Sequence, residues 1–161
     1  MITFNFDVLA RPGATISTRQ PDPDGRNLWR MFHSLTVGNM CIVCDDDIDR
    51  TLFEHWLMRE GFKASTYDFF DTKDPIIKAE KVHLLSTMFG RAGWYVDVDP
   101  RTIALTIAKG IPSLLVGSPF TIRPEWEEAK AIRPWDELVA EMDRQKILKV
   151  KKSWSNMEDA E

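Results

Sequence analysis

Residues 93–116, GWYVDVDPRTIALTIAKGIPSLLV, contain a strand, a helix and a second strand in one continuous stretch. GWYVDV (93–98) is short, largely apolar and bounded by turn residues, as a strand covered on both faces is. Asp99-Pro100 is a helix start, an acid at the N-cap followed by Pro at the first helical position. The predicted helix 100–109 closes at Gly110, and IPSLLV (111–116) reads as the next strand.

The same alternation runs upstream. ITFNF (2–6) reads as a first strand ending at Asp7, followed by a long Pro/Gly/Asp-rich loop, RPGATISTRQPDPDG (11–25). Long loops without regular structure in a compact domain are often functional. Leu28, Phe32 and Leu35 share one helical face in a helix predicted over 26–36, which Gly38 ends. MCIVC (40–44) is a second buried strand. A helix over about 48–60 is expected to bury Ile48, Leu52, Phe53, Trp56 and Leu57 and stops at Gly61. FKASTYDF (62–69) alternates weakly, as an edge strand does. Asp74-Pro75 starts another helix, which stops at Gly90, and Pro134 opens a last one, WDELVAEMDRQKILK. Repeated strand and helix with near-continuous apolar strands predicts a three-layer, Rossmann-like α/β fold. Its mainly parallel five-stranded sheet has helices on both faces. One domain is expected over 1–150, with a charged tail at 151–161.

Composition narrows the function classes. The 161 residues carry 21 Lys plus Arg against 25 Asp plus Glu, a net charge of −4. That balance argues against a protein that coats nucleic acid through phosphate contacts. No apolar run approaches the ~20 residues of a membrane span, and MITFNFDVLA lacks a signal-like start. A cytoplasmic location is expected. Cys41 and Cys44 have redox-motif spacing, but within a buried strand they would point to opposite faces.

In parallel α/β sheets, ligands bind beyond the carboxyl ends of the strands. Here those ends hold Asp7, then Cys44-Asp45-Asp46, then Asp97-Val98-Asp99, then Gly117-Ser118. Crowded carboxylates need neutralising, and Mg²⁺ held by carboxylates and waters is one solution. Asp47, Asp74 and Asp99 also precede predicted helices, where an acid suits the helix dipole. Asp7 and Asp97 have no such structural reason. Lys78 and Lys81, three apart on a helix, could stabilise phosphate charge. Asp45–Trp56 fails as a calcium loop, with Arg50 and Trp56 at the required Gly and Glu positions. No phosphate loop, dinucleotide fingerprint or nucleophile elbow is present, and His33, His55 and His83 lack metal-ligand spacing.

Asp7 at the end of strand one, Lys78 and Lys81 on a later helix, and YVDVDPRTIALTIAKGIPSLLVGSP (95–119) together resemble the haloacid dehalogenase (HAD) superfamily. RPEW and RPWDELVAEMDRQ are similar to segments of small family members encoded by actinobacterial phages. The resemblance covers roughly residues 1–145. It implies that Asp7 is a nucleophile for a phosphoryl group and that Lys78 or Lys81 is the phosphate-holding base. Asp7, Asp97 and Asp99 would be the acids that bind Mg²⁺. The chain departs from the pattern at two places. The general-acid position is Leu9, and the Ser/Thr position of the second motif is Cys44 or Asp45. General acid–base help is worth ~10²–10⁴-fold, so slow turnover is expected. Asp47-Ile48-Asp49-Arg50-Thr51-Leu52 matches the first motif in sequence, but it follows the wrong strand.

The resemblance implies slow, Mg²⁺-dependent hydrolysis of a small phosphomonoester or nucleotide. The alternative is a HAD-like domain without catalysis that binds a host or phage protein. Trp126, Trp135 and Trp154 are candidate contact residues for it. The basic stretch Arg144, Lys146, Lys149, Lys151 and Lys152 reads as a solvated helix end rather than a nucleic-acid site.

Overall fold

A computed structural model of the chain describes residues 1–88, 93–117, 139–140, 142–144 and 146–147. The chain divides into two compact units, Met1–Val116 and Gly117–Glu161. In the second unit residues 139–140, 142–144 and 146–147 are helical. The stop at Gly90, Ser118, the helix start at Pro134, the three C-terminal Trp residues and the tail 151–161 all lie outside the described residues.

The first unit is an α/β sandwich. Strands β1 (Ile2–Asn5), β2 (Met40–Cys44), β3 (Thr66–Phe69), β4 (Trp94–Asp97) and β5 (Ser113–Leu115) form one sheet in the order β3-β2-β1-β4-β5. Every pairing is parallel. Helices α1 (Phe6–Leu9), α2 (Pro23–Thr36), α3 (Arg50–Glu60), α4 (Pro75–Met88) and α5 (Pro100–Ala108) fill the connections. The weakly alternating segment is the edge strand β3, as expected from its pattern.

Strand alternation sorts the core into two layers. Phe4, Met40, Ile42, Cys44 and Val96 pack with Phe6 and Leu9 of α1, Trp29 of α2, and Phe53, Trp56 and Leu57 of α3. Cys41, Val43 and Tyr95 face the other way, onto Val82 of α4, Ile103 of α5, Phe70 and Ile111. The two cysteines therefore lie on opposite faces, both free and buried. Burial raises both thiols, Cys44 to about 12, so neither supplies a thiolate.

Element boundaries follow side-chain caps. β1 ends at Asn5 rather than residue 6, because Asn5 Oδ1 accepts the Asp7 N–H at 2.9 Å and starts the short turn α1. Helix α2 begins at Pro23, three residues earlier than its apolar pattern indicates. Asp22 caps it by accepting from the Asp24 and Gly25 N–H groups at 3.0 and 3.1 Å. α3 is capped by Asp49, and Leu52, expected in the core, is half-exposed. Asp74 caps α4 and Asp99 caps α5, as Asp-Pro indicates.

Helix α2 approaches α1 closely at Gly25. A Cβ there would lie 1.9 Å from the Val8 carbonyl oxygen. Ala normally exceeds Gly inside a helix by roughly 0.5–1 kcal/mol. At this position the sign should reverse. Gly25→Ala is expected to lose about 1–3 kcal/mol through overpacking. The measurement is urea unfolding, with a lower midpoint at unchanged slope.

Candidate functional site at the carboxyl ends of the strands

The chain builds β1, β2 and β3 outward in one direction, then returns to place β4 on the other side of β1. The strand order thus reverses between β1 and β4, and such a reversal opens a crevice at the strands' carboxyl ends. Asn5, Asp7, Asp45, Asp46, Asp97 and Asp99 all lie at that edge. They separate into a buried tier beneath α4 and a rim tier beside the 11–22 loop.

The buried tier centres on Lys78, whose side chain is only 4% exposed. Its ammonium lies 2.6 Å from Asp45 Oδ2 and 2.8 Å from Asp97 Oδ2. Asn5 Nδ2 donates to the same Asp45 oxygen at 2.6 Å. The Tyr95 hydroxyl donates to Asp97 Oδ2 at 2.7 Å. The Val98 and Asp99 N–H groups donate to Asp97 Oδ1 at 2.6 and 3.1 Å. Asp45 Oδ1 is buried and without a hydrogen-bond partner among the described residues. Burial pushes the Asp45 carboxyl up to about 6, with the Asp97 charge adding and Lys78 and Asn5 opposing. Burial pulls the Lys78 ammonium down, but Asp97 and Asp45 outweigh it and raise the group above its ordinary value. One ammonium facing two carboxylates stays charged even when one of them takes a proton. Burial and the Asp97 charge keep the Tyr95 phenol protonated, well above its usual range.

The rim tier is more open. Arg19 donates from Nη1 to Asp7 Oδ1 at 3.2 Å and from Nη2 to Asp46 Oδ2 at 2.6 Å. Lys73 pairs with the other Asp46 oxygen at 2.5 Å. Asp7 Oδ2 has no hydrogen bond from the described residues, and the Asp7 side chain is 35% exposed. Partial enclosure raises the Asp7 carboxyl against the pull of Arg19, and the Asp46 and Asp97 charges reinforce the rise. For Asp46, burial raises the carboxyl but Lys73 and Arg19 overcome it, so it lies below its ordinary value. Arg19 is held from two sides. Its carbonyl accepts the Trp56 indole N–H at 2.9 Å, and its guanidinium sits 5.4 Å from the Phe6 ring centre.

The edge thus pairs Lys78 with Asp97 in the buried tier, leaves Asp7 on the rim with Arg19, and gives the other candidates different partners. Lys81 donates its ammonium to the Phe70 carbonyl instead. Asp99 caps α5, accepting from the Arg101 and Thr102 N–H groups and the Thr102 hydroxyl. Leu9 is fully buried in α1 and has no proton to offer. The second-motif position divides between Cys44, whose thiol donates to the Asp46 carbonyl, and Asp45 in the buried tier. The sequence reading missed Asn5, Arg19, Lys73 and Tyr95. Only Tyr95 carried a local signal, lying two residues before Asp97 and so on the same strand face. A separate groove of about 180 Å³ between Trp29, His33 and Lys63 lies at the opposite sheet edge.

An ionised carboxylate offers about four acceptor positions. Those of Asp97 are filled by Lys78, Tyr95 and two backbone N–H groups. Asp99 is occupied as a cap. Among the described residues no group of three or more His, Cys, Asp or Glu is placed to hold a metal ion. In this arrangement the acids do not fit the Mg²⁺ that the resemblance implies.

Two outcomes follow from the tiers. Lys78→Met leaves two buried carboxylates unpaired and is expected to lose about 3–5 kcal/mol. Lys73→Met, at a position 69% exposed, should lose about 1 kcal/mol or less in the same unfolding experiment. The second outcome concerns pH. Asp45 binds its proton more tightly folded than unfolded, so its contribution to stability is fully present below pH 3.8 and is lost as pH rises through about 6. Carboxyl-carbon NMR should give Asp45 a midpoint near 6, and the fall in stability across that window should be absent in Asp45→Asn.

Comparison with protein-family models, with curated proteins and with solved structures returns no match to this chain.

Proposed function

We propose that this chain is a HAD-like domain that hydrolyses a small phosphomonoester or nucleotide slowly at the Asp7 edge. The observation that carries the reading is Asp7 itself. It follows the central strand at the order reversal, with one carboxylate oxygen held by Arg19 and the other without a partner among the described residues. A phosphoryl group delivered to that free oxygen would meet two rim cations, Arg19 and Lys73, now shared with Asp46. Preorganised cations where charge gathers are the main resource for phosphoryl transfer.

In this reading Asp7 Oδ2 attacks phosphorus and the substrate oxygen leaves as an alcohol. The departing oxygen takes its proton from water, because Leu9 supplies none. Water then cleaves the aspartyl phosphate, releasing inorganic phosphate and restoring the carboxylate. Lys78 holds Asp45 and Asp97 in place beneath the site and touches neither reacting atom. Burial of an apolar side chain at the proton-donor position fits turnover reduced by ~10²–10⁴-fold.

The same buried Leu9, with the saturated Asp97, favours a second reading. There the domain keeps the site's architecture and binds a host or phage protein without turnover. A cytoplasmic setting suits both readings. Among the described residues no helix is long and apolar enough to cross a membrane.

The test is phosphate release from a mixed panel of phosphomonoesters and nucleotides, with Mg²⁺ or EDTA, for wild type and Asp7→Asn. Release lost in Asp7→Asn is the expected result. Release that is unchanged in Asp7→Asn would overturn the assignment of Asp7. No release from either protein would leave the binding reading, with capture of a partner as its next measurement.

A further inference from the structure

We propose that Lys78 is the resident cation of the strand-end acids, and that its ammonium keeps divalent ions out of this site. The proposal goes beyond the phosphomonoester reading and does not rest on it.

Geometry is the first support. The Lys78 ammonium sits between Asp45 Oδ2 and Asp97 Oδ2, at 2.6 and 2.8 Å. That is where an ion bridging the two carboxylates would have to lie. Mg²⁺ binds oxygen at about 2.0–2.1 Å and demands near-octahedral coordination. Asp97 cannot begin such a shell, because all its acceptor positions are filled. Charge is the second support. Two carboxylates and one ammonium leave at most one negative charge in the buried tier. A divalent ion entering beside Lys78 would meet a like charge in a region shielded from water. It would have to expel a side chain that is 4% exposed and carried on the buried face of α4.

Asp45 Oδ1 is the third support. This oxygen is buried and unpartnered among the described residues, while its twin accepts from both Asn5 and Lys78. Both cation contacts are therefore concentrated on one oxygen of each carboxylate. If the ammonium were removed, Asp45 Oδ1, Asp45 Oδ2 and Asp97 Oδ2 would remain as oxygen donors. Such a set suits a hard divalent ion. Lys78 is thus a positioning residue, and its loss should create an ion site rather than merely weaken the fold.

The experiment measures Mn²⁺ binding by the loss of the free-ion electron paramagnetic resonance signal, with thermal melts alongside. The full chain is used as wild type, Asp97→Asn, Lys78→Ala and Lys78→Ala/Asp97→Asn. Neither readout requires turnover, so failure to release phosphate leaves this test intact. Wild type is expected to show no saturable Mn²⁺ binding at millimolar ion and no shift in melting. Lys78→Ala is expected to bind Mn²⁺ saturably and to melt higher when the ion is added. The double variant should lose both gains. Saturable binding to wild type that disappears in Asp97→Asn would overturn the proposal, as would a folded Lys78→Ala that gains no binding. If Lys78→Ala folds only when Mn²⁺ is present, the proposal is supported. If it folds under neither condition, the wild-type measurement and its Asp97→Asn control decide.

Discussion

The arrangement of this protein's strand-end edge depends on one buried ammonium. Lys78 is carried on α4 and reaches across the carboxyl ends of β2 and β4, with β1 between them. Without it, Asp45 and Asp97 would be two like charges in a dry layer, and at least one would have to take a proton. With it, the layer holds a fixed chain of contacts from Asn5 through Asp45 and Lys78 to Asp97 and Tyr95. A buried ion pair of this kind gives little net stability over a well-packed apolar substitute. Its consequence is geometric, because it ties α4 to three strands at the crevice.

The opposite face uses different chemistry to place the rim. Phe6, Phe53, Trp56 and Phe62 form a connected aromatic cluster, with Phe6 edge-on to both Phe53 and Trp56 at 5.0 Å. Such contacts add modestly to the burial of large apolar surfaces. Trp56 also has a polar end, and its N–H donates to the carbonyl of Arg19. The aromatic layer therefore fixes the backbone of the 11–22 loop where the Arg19 guanidinium can reach Asp7 and Asp46. The loop is pinned at its base as well, where Arg11 N donates to the Gln20 carbonyl and Asp22 N to the Leu9 carbonyl.

What the sequence made legible was what depends on near neighbours. Apolar runs located four strands, weak alternation located the edge strand β3, and Asp-Pro pairs located the starts of α4 and α5. The same pair at Asp22-Pro23 was hidden inside a loop-like stretch, so α2 starts earlier than its apolar periodicity suggests. The acids at the strand ends were legible because parallel topology gathers those ends. Their partners were not. Arg19 meets Asp46 across 27 positions and Asn5 meets Asp45 across 40, and no local pattern encodes such pairings. The choice between Lys78 and Lys81 was likewise closed to sequence. Three residues on a helix turn the side chain by about 60° relative to its neighbour's face. That rotation sends one ammonium to the carboxylates and the other to the Phe70 carbonyl.

The two tiers arise from one property of extended chain. Asp45 and Asp46 are adjacent, so their side chains leave the end of β2 in opposite directions. Asp45 enters the layer under α4 and meets Lys78, while Asp46 turns to the rim and meets Arg19 and Lys73. Asn5 and Asp7 divide the same labour at the end of β1, with the helical turn after Asn5 re-aiming Asp7 outward. Neutralisation is permanent in the inner tier, where the cation is buried, and exchangeable in the outer one, where Lys73 is mostly exposed. An anion arriving at this edge can compete with Asp46 for Arg19 and Lys73 without disturbing Lys78. Its binding at the rim would leave the sheet's buried charges unchanged.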